Sequence, residues 1–188
     1  CELTHLAREP IDVAKAAGEH ASYEQALGDL GCEVRALEPA PELADSVFVE
    51  DTALVLDEIA IITRPGAASR QGEVAAIRDA LATWRTVAMI HAPGTLDGGD
   101  VLHAGRTLFV GAGGRSNAEG IRQLGALTAP HGYQVVPVLL RGCLHLKSAA
   151  TEVAERLLLL NPEWVDAVSL RGMDTMPVHP TEPNAANA

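Results

Sequence analysis

The feature that most limits how this chain can fold is a pattern that recurs about every 50 residues. Each copy runs from an acidic or glycine-rich turn through two short apolar strands and a helix to a further strand. In the first copy, Asp45-Ser46-Val47-Phe48-Val49-Glu50-Asp51 leads into a hairpin of 53–56 with 59–62, a helix over 72–84 and a strand over 86–90. In the second, Gly94-Thr95-Leu96-Asp97-Gly98-Gly99-Asp100 leads into a hairpin of 101–103 with 108–110, a helix over 117–129 and a strand over 134–139. Further strands are expected at 144–150, 155–160 and 167–170. Ahead of the pattern, helical apolar spacing over 11–30 stops at Gly31, and 32–37 alternates as a strand does. A period of this size points to a ring of similar units rather than one open sheet.

A chain of 188 residues, 47% hydrophobic, supports one well-cored domain spanning 1–188. With aromatics at 3%, that core is built from Leu, Val, Ile and Ala. The net charge of −11 provides no basic footprint for nucleic acid or an anionic membrane. No apolar run reaches spanning length and no charged-then-apolar leader opens the chain. Cys1, Cys32 and Cys143 are odd in number and lack CxxC spacing, which fits a reducing, cytoplasmic setting and excludes a disulfide framework or structural zinc.

The acids pose the chemical question. Val47-Phe48-Val49 reads as a short buried strand that holds Asp45, Glu50 and Asp51 beside a core. Carboxylates parked there cost desolvation energy unless a cation or donor satisfies them. The ordinary alternative is that they sit in solvated turns. Asp97 with Gly98-Gly99-Asp100 reads equally as a tight turn. Arg70 leaves the 63–70 segment aimed outward, where a solvated arginine is the usual case. Gly111-Ala112-Gly113-Gly114 presents an exposed Arg115 but lacks the spacing and lysine of a phosphate loop. His145 lies between leucines, where a hydrogen-bonded core histidine is the common outcome. No HExxH, GxSxG or EF-hand pattern occurs.

Taken in order, Asp-Ser-Val-Phe-Val-Glu-Asp, Thr-Arg-Pro-Gly-Ala-x-Ser-Arg, Gly-Thr-Leu-Asp-Gly-Gly-Asp, Gly-x-x-Arg-Ser-Asn and Leu-His-Leu-Lys-Ser make the chain resemble the dimethylarginine dimethylaminohydrolases of the guanidino-group-modifying superfamily. The resemblance covers essentially the whole length. It implies an α/β fold of the pentein type, a propeller of ββαβ units around a central channel. It also implies hydrolysis of methylated arginine to citrulline and methylamines. Asp45, Glu50 and Asp51 match acids that contact the substrate, whose flat guanidinium suits paired charge-assisted hydrogen bonds. Arg70 and Arg115 match arginines that hold its α-carboxylate, and Leu3 matches a leucine on a flap over the entrance. His145 matches the general acid/base and Asp97 the carboxylate that works with it. The implied chemistry is covalent, through a cysteine thiolate and a thiouronium intermediate, with no metal or organic cofactor.

One element of that chemistry has no counterpart here. The family's nucleophile lies beyond the motif that occurs here as Glu182 to Asn187, and none of the three cysteines matches it. Cys143, two residues from His145 on the same strand face, reads as a small buried hydrophobe. A start at Cys1 and an end at Ala188 suggest a piece of a longer polypeptide, incomplete at the C-terminus and lacking its last unit. The 188 residues alone are therefore expected to turn nothing over. Arginine deimination or amidino transfer stands as the alternative reaction, and a non-catalytic guanidinium-binding module as the alternative class. For partners, the expectation is a small-molecule substrate, no nucleic acid and no membrane, with a homodimer left open.

Overall fold

From Glu42 onward, three hairpins each carry a third strand laid parallel to their second. The computed structural model describes residues 10–187, so Leu3 and Cys1 lie outside the described residues. The chain divides into two units, one ending at Pro41 and the other beginning at Glu42. In the first unit, Asp12 caps α1 (Val13–Asp29) by accepting from the Lys15 amide at 3.0 Å. Gly31, with φ of +88°, closes it. The strand expected over 32–37 does not form: the stretch is exposed and pairs with no strand among the described residues. Alternation makes a strand only where a neighbouring edge takes up the backbone N–H and C=O groups.

In the first repeat of the second unit, β1 (Ala53–Val55) pairs antiparallel with β2 (Ile59–Ile62). The chain then crosses through α2 (Val74–Leu81) to β3 (Thr86–Met89), parallel to β2. The second repeat does the same with β4 (Val101–Ala104), β5 (Thr107–Ala112), α3 (Ala118–Thr128) and β6 (Gln134–Leu139). Asn117 caps α3 by accepting from the Gly120 amide at 2.8 Å. The third has β7 (Ala150–Ala154), β8 (Leu157–Leu160) and β9 (Asp174–Pro177), with a 3₁₀ turn at Ala167–Ser169 where the others have a helix. Strands starting at Ala53, Val101 and Ala150 carry the period read from the sequence.

Two expectations in the third repeat are corrected. Residues 144–150 are not a strand but an approach to the 3₁₀ turn Leu146–Ser148, with β7 starting only at Ala150. Residues 167–170 likewise hold a turn, and the strand laid parallel to β8 is β9, which is exposed throughout and has no apolar alternation to announce it.

The core lies in two clusters on either side of the middle sheet. Successive residues of β5 supply them alternately: Leu108 and Val110 join Ile61, Leu96, Ile121 and Leu124, while Phe109 joins Val138, Leu146, Leu158 and Leu160. A strand's period of two puts neighbouring side chains on opposite faces, so a strand buried on both faces must be apolar at every position. No helix among the described residues is long and apolar enough to cross a membrane.

The segment 45–51 reverses its expected polarity. Val47, Phe48 and Val49 are not a buried strand; they lie exposed in a turn, while Asp51 and Thr52 beyond them are buried. The backbone turns into a 3₁₀ helix at Val49–Thr52, so side-chain direction there follows a threefold period rather than the twofold one the apolar run suggested.

Candidate active site

A 3₁₀ turn stands ahead of each hairpin: Val49–Thr52 before β1, Gly98–Asp100 before β4 and Leu146–Ser148 before β7. The second turn touches both the first and the third. Asp51, Asp97 with Asp100, and His145 thus come from equivalent places in three repeats. The glycines of the middle turn permit this approach. A Cβ on Gly98 would run into the Glu50 carbonyl oxygen, and one on Gly99 would stand 2.6 Å from Asp51 Oδ1 and 2.9 Å from the His145 ring. Neither adopts the left-handed backbone that calls for glycine in a turn, so close packing is what requires them.

Asp51, Asp97 and His145 each direct one ligand atom into a common hollow, and these atoms all lie within 4.8 Å of one another. Two carboxylates and an imidazole at that separation can receive a cation, organic or metallic. Asp51 Oδ1 accepts from the Gly99 amide at 2.9 Å and stands 3.6 Å from His145 Nε2. Asp97 is wholly buried; its Oδ1 accepts from the Gly66 amide at 2.7 Å, and its Oδ2 has no hydrogen-bond partner among the described residues. Asp100 Oδ1 lies 3.2 Å from His145 Nδ1, while Asp100 Oδ2 accepts from Ser116 Oγ at 2.6 Å.

Burial raises the Asp97 pKa; the Gly66 amide opposes that rise, and the charges of Asp51 and Asp100 add to it. Burial pulls the His145 pKa down. The Asp100 hydrogen bond and the charges of Asp100, Asp51 and Asp97 outweigh it, and the net direction is up. The hollow therefore favours a protonated group, whether a carboxyl, an imidazolium or a bound cation.

Arg70 does not aim outward. It is buried: Nη1 donates to Asp51 Oδ2 at 2.6 Å, Nη2 to Glu73 Oε2 at 2.8 Å and to the carbonyls of Asp45 and Phe48 at 3.2 Å, and Nε to Glu73. The guanidinium presents five donors, and a burial site supplying that many acceptors outcompetes solvent. Burial alone would lower its pKa, but the bonds to Glu73 and Asp51 raise it. Arg115 is half-buried rather than exposed, because the turn at Gly66 presses against its backbone. Asp45 is half-buried. Glu50 is exposed and pairs with Lys147 Nζ at 2.5 Å. His145 sits not in a strand but at the start of a 3₁₀ turn, its side chain 12% exposed.

Cys143 packs against the second core cluster, and its thiol pKa is raised by burial and then by the charge of Asp100. Such a group is neither a thiolate nor poised as one. Four residues of the site escaped the sequence reading: Glu73, Asp100, Ser116 and Lys147. Three of them stand inside motifs already noted, in Gly-Gly-Asp, Arg-Ser-Asn and Leu-His-Leu-Lys-Ser. Glu73 had no signal beyond its place three residues after Arg70.

Three short sheets with the acids and the imidazole gathered ahead of their hairpins define a guanidino-group-modifying enzyme fold of the pentein type. The structure of the dimethylarginine dimethylaminohydrolase from Pseudomonas aeruginosa, a cysteine-to-serine variant complexed with citrulline, matches it with a TM-score of 0.86 at 36% identity, over 94% of this chain and 70% of that one. By sequence, the enzyme of that name from Pseudomonas aeruginosa is 36% identical over 98% of this chain and 72% of its own length. The Streptomyces coelicolor enzyme of the same name is 44% identical over 89% of this chain. The chain belongs to the dimethylarginine dimethylaminohydrolase family. It spans 66% of the Streptomyces relative's length. No family model matches it.

Proposed function

We propose that residues 1–188 form, as one domain, the guanidinium-binding and acid–base part of an enzyme that hydrolyses dimethylarginine to citrulline and dimethylamine. The observation that carries this reading is the convergence of Asp51, Asp97 and His145 within 4.8 Å. A planar cation entering that hollow meets the unpartnered Oδ2 of Asp97, whose burial without a donor is costly until something positive arrives. Asp45 and Glu50, from the two ends of the segment that carries Asp51, are assigned as further acids for the substrate. Arg115 and Leu3 are assigned to the substrate's α-carboxylate and to the entrance. Arg70, fully engaged with Asp51 and Glu73, serves that carboxylate by holding the binding segment rather than by a free guanidinium.

In the reaction, a cysteine thiolate attacks the guanidinium carbon and expels dimethylamine, which takes a proton from His145. Water, deprotonated by the same imidazole, then cleaves the thiouronium to citrulline and restores the thiolate. The family resemblance implies that this cysteine follows the motif seen here as Glu182 to Asn187. A cytoplasmic setting belongs to the same reading, supported by cysteines without paired spacing; light scattering reads whether the enzyme is a homodimer.

Titration calorimetry with dimethylarginine tests the binding step on this chain. Saturable binding that weakens about tenfold or more in Asp97→Asn supports the reading, since a buried charge facing a cation is worth on the order of 2 kcal/mol or more. No binding overturns it. Citrulline release by a chain that carries the cysteine tests the chemistry, and ammonia in place of dimethylamine would move the enzyme to the deiminase reaction.

A further inference from the structure

We propose that Asp100, held by Ser116, is the carboxylate that positions His145, and that Asp97 is thereby released to face the bound cation. The inference rests on reading the hollow as the reacting site and deepens it by separating the roles of two acids three residues apart.

The hydrogen bonds divide the acids cleanly. Asp100 receives Ser116 Oγ on Oδ2 at 2.6 Å, and on Oδ1 the Leu146 amide at 3.3 Å and His145 Nδ1 at 3.2 Å. An ionised carboxylate only accepts, so Nδ1 carries the proton that joins them. The direction of the Ser116 hydroxyl is equally determined: its oxygen already accepts the Asp97 amide at 3.1 Å, which leaves its proton for Asp100. Ser116 and Asp100 are both buried, so the arrangement is protected from competing water. Among the described residues, Asp97 has no hydrogen bond to the ring; its Oδ1 is tied to Gly66 and its Oδ2 is unpartnered.

The consequence is a tautomer. With Nδ1–H committed to Asp100, the lone pair of neutral His145 lies on Nε2, the nitrogen that faces Asp51 Oδ1 across the hollow at 3.6 Å. That nitrogen can take a proton from water and deliver it to a leaving amine. The charged groups around the ring are Asp51 from the first turn, Asp97 and Asp100 from the second, and Lys147 on its own turn, committed to Glu50. Among these, Asp100 alone holds the ring's Nδ1. It is a positioning residue, since it acts on substrate only through His145.

Nitrogen-15 spectra of histidine-labelled protein across a pH titration test this, with His145→Gln identifying the signal among seven histidines. The expected result is a neutral His145 in the Nδ1–H tautomer. In Asp100→Asn, its pKa falls and the Nε2–H tautomer gains. Asp97→Asn lowers the pKa less and leaves the tautomer unchanged. A wild-type Nε2–H tautomer overturns the proposal, as does a larger fall in Asp97→Asn than in Asp100→Asn. Should Asp100→Asn not fold, Ser116→Ala carries the test: freeing Asp100 Oδ2 of its donor should move the His145 titration away from that of the wild type, and Ser116→Thr should restore it. A Ser116→Ala protein whose His145 titrates as in the wild type overturns the proposal. The spectra require neither ligand nor turnover, so a chain that shows this titration yet binds no dimethylarginine removes the functional reading alone.

Discussion

Arg70 Nη1 lies 2.6 Å from Asp51 Oδ2, with the two side chains 8% and 11% exposed. An acid expected to face a ligand is thus anchored by an arginine expected to face the same ligand. Glu73 completes the cluster from the other side of the guanidinium at 2.8 Å.

Removing that arginine should cost far more than removing a surface charge. Arg70→Ala strands two buried carboxylates and two carbonyls, and loss of about 3–5 kcal/mol of stability is expected. Urea unfolding measures it. A loss below about 1 kcal/mol, the range of exposed pairs, would show that the cluster is open to water.

Gly99 gives a sharper probe of the hollow. In Gly99→Ala the new methyl must push Asp51 Oδ1 or the His145 ring, so dimethylarginine binding should be lost together with about 1–3 kcal/mol of stability. Gly105→Ala is the control: its φ of +57° is strained for alanine but nothing lies near it, so only about 1 kcal/mol of stability should go and binding should stay. Equal binding by both variants would sink the packing argument.

The pH dependence has a definite sign. His145 has a folded pKa above its ordinary 6.5, so the native state holds the proton more tightly than the unfolded chain does. Its stabilisation is complete below 6.5 and is lost as pH rises through the raised value, at up to about 1.4 kcal/mol per pH unit. Asp97, also raised, acts with the same sign above its ordinary 3.8. Denaturant midpoints measured from pH 6 to 9 should decline in the wild type and decline less in His145→Gln. Parallel curves would count against an imidazolium held among these acids.

Lys147 Nζ pairs with Glu50 Oε1. Both groups are partly exposed, so Lys147→Ala should alter stability by less than about 1 kcal/mol. Binding is different, because a guanidinium that uses Glu50 must displace the ammonium. Lys147→Ala should therefore tighten dimethylarginine binding at low salt, with the advantage fading as salt rises. Unchanged affinity in calorimetry would remove Glu50 from the binding set.

The sequence by itself determined the repeat. Short, continuously apolar runs such as 59–62 and 108–110, bounded by turn residues and too short for a helix, read as buried strands, and the turns between them recur at one spacing, so hairpins and crossover helices were legible without coordinates. The resemblance carried by five ordered motifs also named Asp51, Asp97 and His145; taken singly, each residue read as an ordinary turn acid or core histidine. What lay beyond reach was direction. Val47-Phe48-Val49 looked buried and is exposed; Arg70 looked exposed and is buried; His145 looked like a strand residue and begins a turn. Each depends on a short 3₁₀ segment, whose single turn leaves no periodicity to read, and on partners drawn from 19 to 46 residues away. The tertiary structure alone decided which of two nearby acids holds the imidazole. That choice follows from where the buried donors of Ser116, Leu146 and Gly66 point, and a linear chain carries no record of it.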